Sequence, residues 1–185
     1  MLQFKGLPPW RETLHRWTRM PLPVKEDRFP LFRGDPDAVP VLLQLATDQA
    51  LDEDIRCYAI RGIAFPLDRL QGGLADDAKV VLQRCLGDAK REIRFAAAQV
   101  LLRFDEDVET SANVMLEIIR QQLKDASPNE RIRATSRLSI LGHCHKVELD
   151  TLLPILRQLQ DDSDRRVREL AGRVLEIITE WRAKN

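Results

Sequence analysis

Residue types that could bind a metal ion cluster in the segment His143-Cys144-His145. Two imidazoles and a thiolate are ligands that suit zinc or another soft metal. Three consecutive residues rarely converge on one ion, and the sequence offers no fourth ligand nearby. We therefore expect a polar turn between two helices at this point, and we predict no metal and no other cofactor.

Side chains that could act as acids, bases or nucleophiles lack the neighbours that catalysis requires. The carboxylate pairs Asp76-Asp77 and Asp161-Asp162 fall at expected helix termini, where they complement the helix dipole. Cys57 is expected to face away from the core, but a lone thiol without a base is not a catalyst. The sequence contains no Gly-rich phosphate loop, His-Glu-x-x-His pair or nucleophile elbow. We predict that the protein is not an enzyme.

The composition is typical of a soluble folded domain and argues against a general polyanion binder. The chain has 185 residues, of which 44% are hydrophobic, and its 29 basic and 29 acidic residues cancel. No stretch approaches the roughly 20 apolar residues that span a membrane, and the N-terminus does not resemble a signal peptide. The three cysteines form no disulfide framework. We expect a cytoplasmic protein that binds neither membranes nor, in general, nucleic acid.

A short pattern recurs four times at intervals typical of a helical solenoid. It begins with Ile or Val followed by arginine, and the arginines are Arg56, Arg94, Arg133 and Arg168. These arginines are 38, 39 and 35 residues apart. Three residues later stand small side chains, and seven residues later aliphatic ones. The small residues are Ala59, Ala97, Ser136 and Ala171, and the aliphatic residues are Ile63, Leu101, Ile140 and Leu175.

An aspartate precedes each arginine and marks the end of a first helix. The four aspartates are Asp48, Asp88, Asp125 and Asp162. They stand six residues before the arginine in the second and fourth copies and eight before it in the others. Six and seven residues before each aspartate the sequence is aliphatic in every copy, at Leu42, Leu82, Ile119, Leu156 and at Val41, Val81, Ile118, Ile155. We predict that these residues form the inward stripe of each first helix, and that the aspartates and arginines pair across repeats as a structural ladder.

The pattern predicts four two-helix repeats, at about residues 36–66, 74–104, 108–142 and 147–182. Together they form one repeat domain, 36–185, after an irregular segment, 1–35, that contains five of the ten prolines. Within that segment Trp10, Leu14 and Trp17 share one face of a possible helix from Pro9 to Met20. We expect this helix to cap the first repeat, because the end of a solenoid must cover an open core.

An aspartate after the first helix, then Val/Ile-Arg-x-x-Ala and an aliphatic residue four positions on, resembles the HEAT repeat. Pro40 and Pro154, eight residues before an aspartate, fit the same family. The second and third repeats lack this proline, and the third has Ser136 in place of alanine. The resemblance implies an all-α, armadillo-like fold: a right-handed α-α superhelix of four helical hairpins with an N-terminal capping segment. First helices would lie on its convex side and second helices on its concave side.

Positions one and five residues after each arginine are expected to face solvent on the second helices. They are Cys57, Phe95, Ala134 and Glu169, then Arg61, Gln99, Leu138 and Arg173. Phe95 and Leu138 are apolar there, which suits a protein partner, unless they pack against other helices of the chain. We predict a non-catalytic scaffold that binds a protein partner on the concave face formed by the second helices, with contacts that include Arg61, Phe95, Gln99, Leu138 and Arg173.

A second expected surface is basic and lies in the last two second helices. Its members are Arg131, Arg133, Arg137, Arg165, Arg166, Arg168 and Arg173. Such a strip could meet phosphate or an acidic protein, or it could be a solvated face balanced by nearby carboxylates.

Two other functions follow from the resemblance alone. Some HEAT-like proteins are DNA alkylpurine glycosylases that use aromatic and acidic residues of the concave groove, whereas the tryptophans of this chain lie near its two ends. Others are bilin lyases or modules that support an enzyme, and no residue here marks a bilin site.

Overall fold

The regular elements of the protein are α-helices. The computed structural model describes residues 38–64, 73–104, 106–125, 127–142 and 152–184, and for residues 140, 142 and 181–184 it describes the backbone alone. Eight helices lie in these ranges, and no β-strand does. They are α1 (Val39–Thr47), α2 (Glu53–Ile63), α3 (Gly73–Cys85), α4 (Arg91–Arg103), α5 (Val108–Leu123), α6 (Pro128–Gly142), α7 (Leu153–Leu159) and α8 (Arg165–Lys184).

The helices belong to two compact units, Met1–Glu106 and Asp107–Asn185. In the first unit α1 packs on α2 and α3 packs on α4, so each consecutive pair forms a hairpin. The hairpins stack through like helices, because α1 also contacts α3 and α2 contacts α4. One hairpin could not bury its apolar face alone, and the stack provides the second layer that it needs.

The second unit is built from the hairpins α5–α6 and α7–α8. Its second helices, α6 and α8, pack extensively on one another. Helix α7 is short, with seven residues. The predicted start of this helix near residue 147 lies outside the described residues, as do His143-Cys144-His145 and the whole segment 1–35.

The inward stripe of the first helices is confirmed. Leu42, Leu82, Ile119 and Leu156, each six residues before an aspartate, are all fully buried. The residues one position earlier are buried in the first three copies, and Ile155 is half-buried. The buried positions therefore lie at a constant sequence distance from the aspartates, because residues at the same distance from the end of a helix lie on the same face of it.

Prolines and a glycine fit the helices at particular points. Pro40 and Pro154 occupy the second position of α1 and α7, where a missing N–H breaks no helical hydrogen bond. Gly62 in α2 lies against Leu42 of α1, so that an added Cβ would be 3.2 Å from Leu42 Cδ1. The absent side chain lets these two helices approach closely. None of the helices in the described ranges combines the length and the apolar character needed to cross a membrane.

Candidate functional site

All four aspartates of the repeat pattern shape the turn between the two helices of a hairpin. In each, the carboxylate Oδ1 accepts a hydrogen bond from the backbone N–H two residues later. The acceptors are Asp48, Asp88, Asp125 and Asp162, at 2.9, 2.8, 2.8 and 2.8 Å from the nitrogens of Ala50, Lys90, Ser127 and Asp164. Aspartate at these positions closes the turn with its own side chain, which is why it recurs.

An arginine of the following helix closes the same turn from the other side. Arg94, Arg131 and Arg168 donate from Nη1 to the carbonyl oxygen of the aspartate six residues earlier, at 2.8, 2.9 and 2.7 Å. In the first hairpin the turn is longer, and Arg56 Nε donates instead to Ala46 O at 3.1 Å. We call these four residues, Arg56, Arg94, Arg131 and Arg168, the junction arginines. They are 38, 37 and 37 residues apart, a more even spacing than the one predicted.

The third junction arginine is therefore Arg131, and the prediction of Arg133 is wrong by two residues. Arg133 is exposed and its Nη1 lies 3.3 Å from Glu130 Oε1 on the same helix. The predicted small residue Ser136 is also exposed, whereas Ala134 is fully buried. The error arose because Ile132 was aligned with the Ile or Val that precedes the arginine in the other copies. The distance of six residues from the aspartate, as in the second and fourth copies, together with Ala134, was the sequence signal that identifies Arg131.

In the first unit a junction arginine reaches the aspartate of the next hairpin. Arg56 Nη2 lies 2.5 Å from Asp88 Oδ2, and both side chains are almost completely buried. Gln49 bridges the pair: its Nε2 donates to Asp88 Oδ2, and its Oε1 accepts from Arg56 Nη1. Burial by itself would raise the pKa of Asp88, but the hydrogen bonds from Arg56, from the Lys90 N–H and from Gln49 hold that pKa below its usual value.

The second unit repeats this junction between α6 and the turn before α8. Arg131 Nε donates to Asp162 Oδ2 at 2.8 Å, and Nη2 donates to Oδ1 at 3.0 Å. Both partners are about nine-tenths buried. The hydrogen bonds from Arg131 lower the pKa of Asp162 in spite of this burial. Each pair joins two hairpins within one unit, so Arg56 with Asp88 and Arg131 with Asp162 hold neighbouring hairpins together.

A depression of about 310 Å³ in the first unit lies beside the Arg56–Asp88 pair. Cys85 lines it, and Cys57 lies in the same buried cluster. Burial raises the pKa of each thiol to about 11, so both are protonated at neutral pH. The Arg56 and Asp88 side chains bond mainly to each other. The depression therefore offers neither an activated nucleophile nor an available base.

Arg131→Ala and Arg133→Ala form a matched pair of variants on one helix. We expect Arg131→Ala to lower the melting temperature by several degrees, because it leaves the carboxylate of Asp162 without its partner. Arg133→Ala should leave the melting temperature nearly unchanged, since its ion pair with Glu130 is exposed. Thermal melts followed by circular dichroism measure both. Equal shifts in the two variants would contradict the assignment of Arg131 as the junction arginine.

Acid should weaken the second junction. The folded-state pKa of Asp162 is lowered, so this carboxylate stabilises the fold above its ordinary pKa and the contribution is lost as pH falls through the folded value. Asp162→Asn removes the charge but keeps an oxygen for the turn. In urea titrations the variant should be clearly less stable than the parent at pH 7, and the difference should shrink below about pH 4. A constant difference across this range would contradict the prediction.

The predicted contact residues divide into exposed and buried ones. Arg61 and Arg173 are exposed and Gln99 is half-buried, so their predicted role in binding stands as a prediction. The expectation that Phe95 and Leu138 are exposed is wrong, because their exposed fractions are 2% and 0%. Both side chains belong to the packed interior. Packing against other helices of the chain was the alternative that the sequence pattern left open for them.

The burial of these residues follows from how a second helix is packed. Leu138 lies seven residues after Arg131, the same distance that separates the buried Ile63 from Arg56. A second helix contacts both its hairpin partner and the next second helix, as α2 contacts α1 and α4. Its buried arc is therefore wider than a single stripe, and in α2 and α4 it includes the position after the arginine. For the same reason Cys57 is buried instead of facing solvent, while Ile55 is 37% exposed.

The expected basic surface loses two members to the interior. Arg131 is held in its junction, and Arg137 is 6% exposed, with Nη1 donating to Gln122 Oε1 at 2.6 Å. Gln122 Nε2 in turn donates to Glu130 Oε2 at 2.8 Å, so the buried guanidinium belongs to a connected polar network. The remaining arginines, Arg133, Arg165, Arg166, Arg168 and Arg173, are exposed.

No group of three or more His, Cys, Asp or Glu side chains within the described ranges is arranged to hold a metal ion. The predicted alternative at His143-Cys144-His145 lies outside those ranges. No protein-family model matches the chain, and comparison with curated proteins yields no match.

Proposed function

We propose that the chain is a HEAT-like repeat scaffold that binds a protein partner through the exposed side chains of its second helices and performs no chemistry itself. The observation that carries the proposal is the contrast between two sets of positions. The buried positions and the junctions repeat from hairpin to hairpin, whereas the residues five positions after the junction arginines vary among arginine, glutamine and serine. Positions that maintain a stack must be alike, and positions that recognise a partner need not be.

The corrected position of the third arginine supports the HEAT-like assignment. With Arg131 in place, each copy reads arginine, alanine three residues later and an aliphatic residue seven later. The third copy is Arg131, Ala134 and Leu138, which removes the departure at Ser136 but places Glu130 where the other copies have Ile or Val. The even spacing of 37 or 38 residues lies within the range of helical repeats. Stacking of like helices within each unit is the packing that such repeats require.

The exposed positions supply the residue types that protein interfaces use. Five residues after the junction arginines stand Arg61, Gln99, Ser136 and Arg173, of which Arg61, Ser136 and Arg173 are exposed. Arginine is common at interface hot spots, because its planar guanidinium binds carboxylates and packs on apolar surface. In each unit the second helices contact one another, so these side chains form one surface per unit.

Affinity purification from an extract of the source organism tests the proposal. The tagged full chain is compared with Arg61→Glu/Arg173→Glu, which changes the second helices, and with Arg120→Glu/Arg157→Glu, which makes the same charge change on α5 and α7. All four residues are exposed, so folding should be little affected, and circular dichroism checks this.

We expect the second-helix variant to lose partners that the parent and the first-helix variant retain, as measured by quantitative mass spectrometry. If all three proteins retain the same partners, or if both variants lose them equally, the second helices are not the binding surface.

A further inference from the structure

Helix α8 carries a row in which arginine and aliphatic side chains alternate. Its members are Arg166, Leu170, Arg173 and Ile177, spaced as i, i+4, i+7 and i+11. This spacing places the four side chains on one side of the helix. Both arginines are exposed, Leu170 is half-buried, and Ile177 is 45% exposed. Ile177 is one of three large hydrophobic residues that are exposed in the described part of the chain, and it lies on the same side of its helix as these two exposed arginines.

Helix α6 widens this row into a strip. Arg133 and Ser136 stand two and five residues after the junction arginine of α6, as Leu170 and Arg173 do in α8. The two junction arginines make the same backbone hydrogen bond, and α6 packs on α8. Equivalent positions of stacked helices face the same side. We call these six residues, Arg133, Ser136, Arg166, Leu170, Arg173 and Ile177, the basic strip.

The carboxylates near the basic strip neutralise it only in part. Glu130 lies 3.3 Å from Arg133, and Asp164 lies 3.1 Å from Arg166, but the side chains of both arginines are more than half exposed. Glu169, one turn before Arg173, is a third nearby carboxylate: its pKa is lowered by the hydrogen bond from Arg165 and also by the charge of Arg173, although no ion pair joins Arg173 to a carboxylate within the described residues. The strip therefore presents positive charge to solvent although the whole chain has no net charge.

We infer that the basic strip binds an amphipathic helix of a partner protein, one face of which alternates carboxylate and aliphatic side chains. This inference rests on the proposed function and adds the chemistry of the partner. Carboxylates would pair with Arg133, Arg166 and Arg173, since guanidinium and carboxylate match in charge and geometry. Aliphatic groups between them would pack on Leu170 and Ile177 and remove apolar surface from water.

The same features favour a protein over a nucleic acid. A phosphate backbone has a continuous row of charges, and the exposed Ile177, one turn beyond Arg173, would contribute nothing to its binding. Beside the strip α8 carries Glu169 and Glu176, both exposed, at positions where the first hairpin has Cys57 and Ala64. These carboxylates would repel an acidic helix that shifted toward them, so they restrict it to the arginine and aliphatic side chains of the strip.

Binding of synthetic peptides to the full chain tests the inference. The probe is a fluorescent helical peptide of about 20 residues with Glu and Leu alternating along one face, and its counterpart carries Lys in place of Glu. Fluorescence anisotropy measures both affinities. We expect the acidic peptide to bind and the basic one not to bind. Arg166→Glu/Arg173→Glu should weaken the acidic peptide at least about tenfold and create binding of the basic peptide.

Three controls separate the alternatives. Arg120→Glu/Arg157→Glu should change the affinity by less than about twofold, because it alters net charge equally but not the strip. Ile177→Ser, which leaves all arginines in place, should weaken the acidic peptide several-fold and leave any binding of single-stranded DNA unchanged. Circular dichroism confirms that each variant is folded.

The inference is overturned if the acidic peptide does not bind, if strip and control variants lose affinity equally, or if single-stranded DNA binds as tightly as the peptide and is lost in parallel with it. These outcomes are distinct from failure of the proposed function. Partners that depend on the second helices in the affinity purification would uphold that function even if the acidic peptide failed.

Discussion

Arg56→Ala is expected to lower the free energy of unfolding of the first unit by about 3–5 kcal/mol. The Arg56 and Asp88 side chains are 3% and 5% exposed, so the substitution strands a carboxylate away from water. It also removes the hydrogen bonds that Arg56 donates to the carbonyl oxygen of Ala46 and to the side chain of Gln49. Urea unfolding at neutral pH, followed by circular dichroism, measures the loss. A loss of this size is a large share of the stability of an ordinary domain.

Arg61→Ala is the matched control for this prediction. It removes an arginine from the same helix, but the Arg61 side chain is exposed, and the change should stay within about 0.5 kcal/mol. A double variant, Arg56→Met with Asp88→Leu, should recover much of the lost stability, because it removes the unpaired charge along with its partner. An Arg56→Ala protein as stable as the Arg61→Ala protein would show that the junction does not hold the two hairpins together.

Phe95→Ala should destabilise the protein by about 3–5 kcal/mol, the usual cost of emptying the space of a buried aromatic side chain. Phe95 is 2% exposed and is among the largest buried side chains of the described residues. If it were instead the surface contact that its position in the sequence pattern suggests, the substitution would leave stability almost unchanged and abolish only binding. Urea unfolding therefore decides between a core role and a surface role.

Val80→Ala is the control for Phe95→Ala, since Val80 is an apolar helical residue in the same unit that is 48% exposed. Its truncation should cost less than about 1 kcal/mol. Leu138→Ala tests the same point in the second unit, and we expect a loss of about 2–5 kcal/mol for this fully buried residue. Losses near zero for both Phe95 and Leu138 would contradict their burial.

The helices of the described part were predictable because local rules determine them. The predicted third repeat, 108–142, has the outer bounds of the hairpin formed by α5 and α6, and prolines at 40 and 154 stand near the starts of α1 and α7. The first-helix stripe was also predictable, since these helices bury one main face, and aliphatic residues at a fixed distance from the aspartates mark it. Leu42 and Leu82 are fully buried on that face.

The second helices were harder to predict because they are packed on more than one side. Because their buried faces are wide, the repeat pattern can be aligned on these helices in more than one way. In the third repeat either Arg131 or Arg133 could be matched to the arginine of the pattern. Choosing the alignment by Ile132 put the wrong arginine in the ladder. The distance of six residues from the aspartate was the stronger signal, because it reflects a hydrogen bond that the turn geometry requires.

The sequence by itself determined the helical class of the described part, the repeated hairpins and the aspartates that close their turns, because each depends on residues near one another in the chain. Tertiary structure decided which arginine reaches the next hairpin, that Phe95 and Leu138 are interior, and that Arg166, Leu170, Arg173 and Ile177 remain at the surface. These outcomes depend on which neighbouring helix covers each face. Spacing along one helix specifies which residues share a face, but only the packing of a second helix specifies which face is buried.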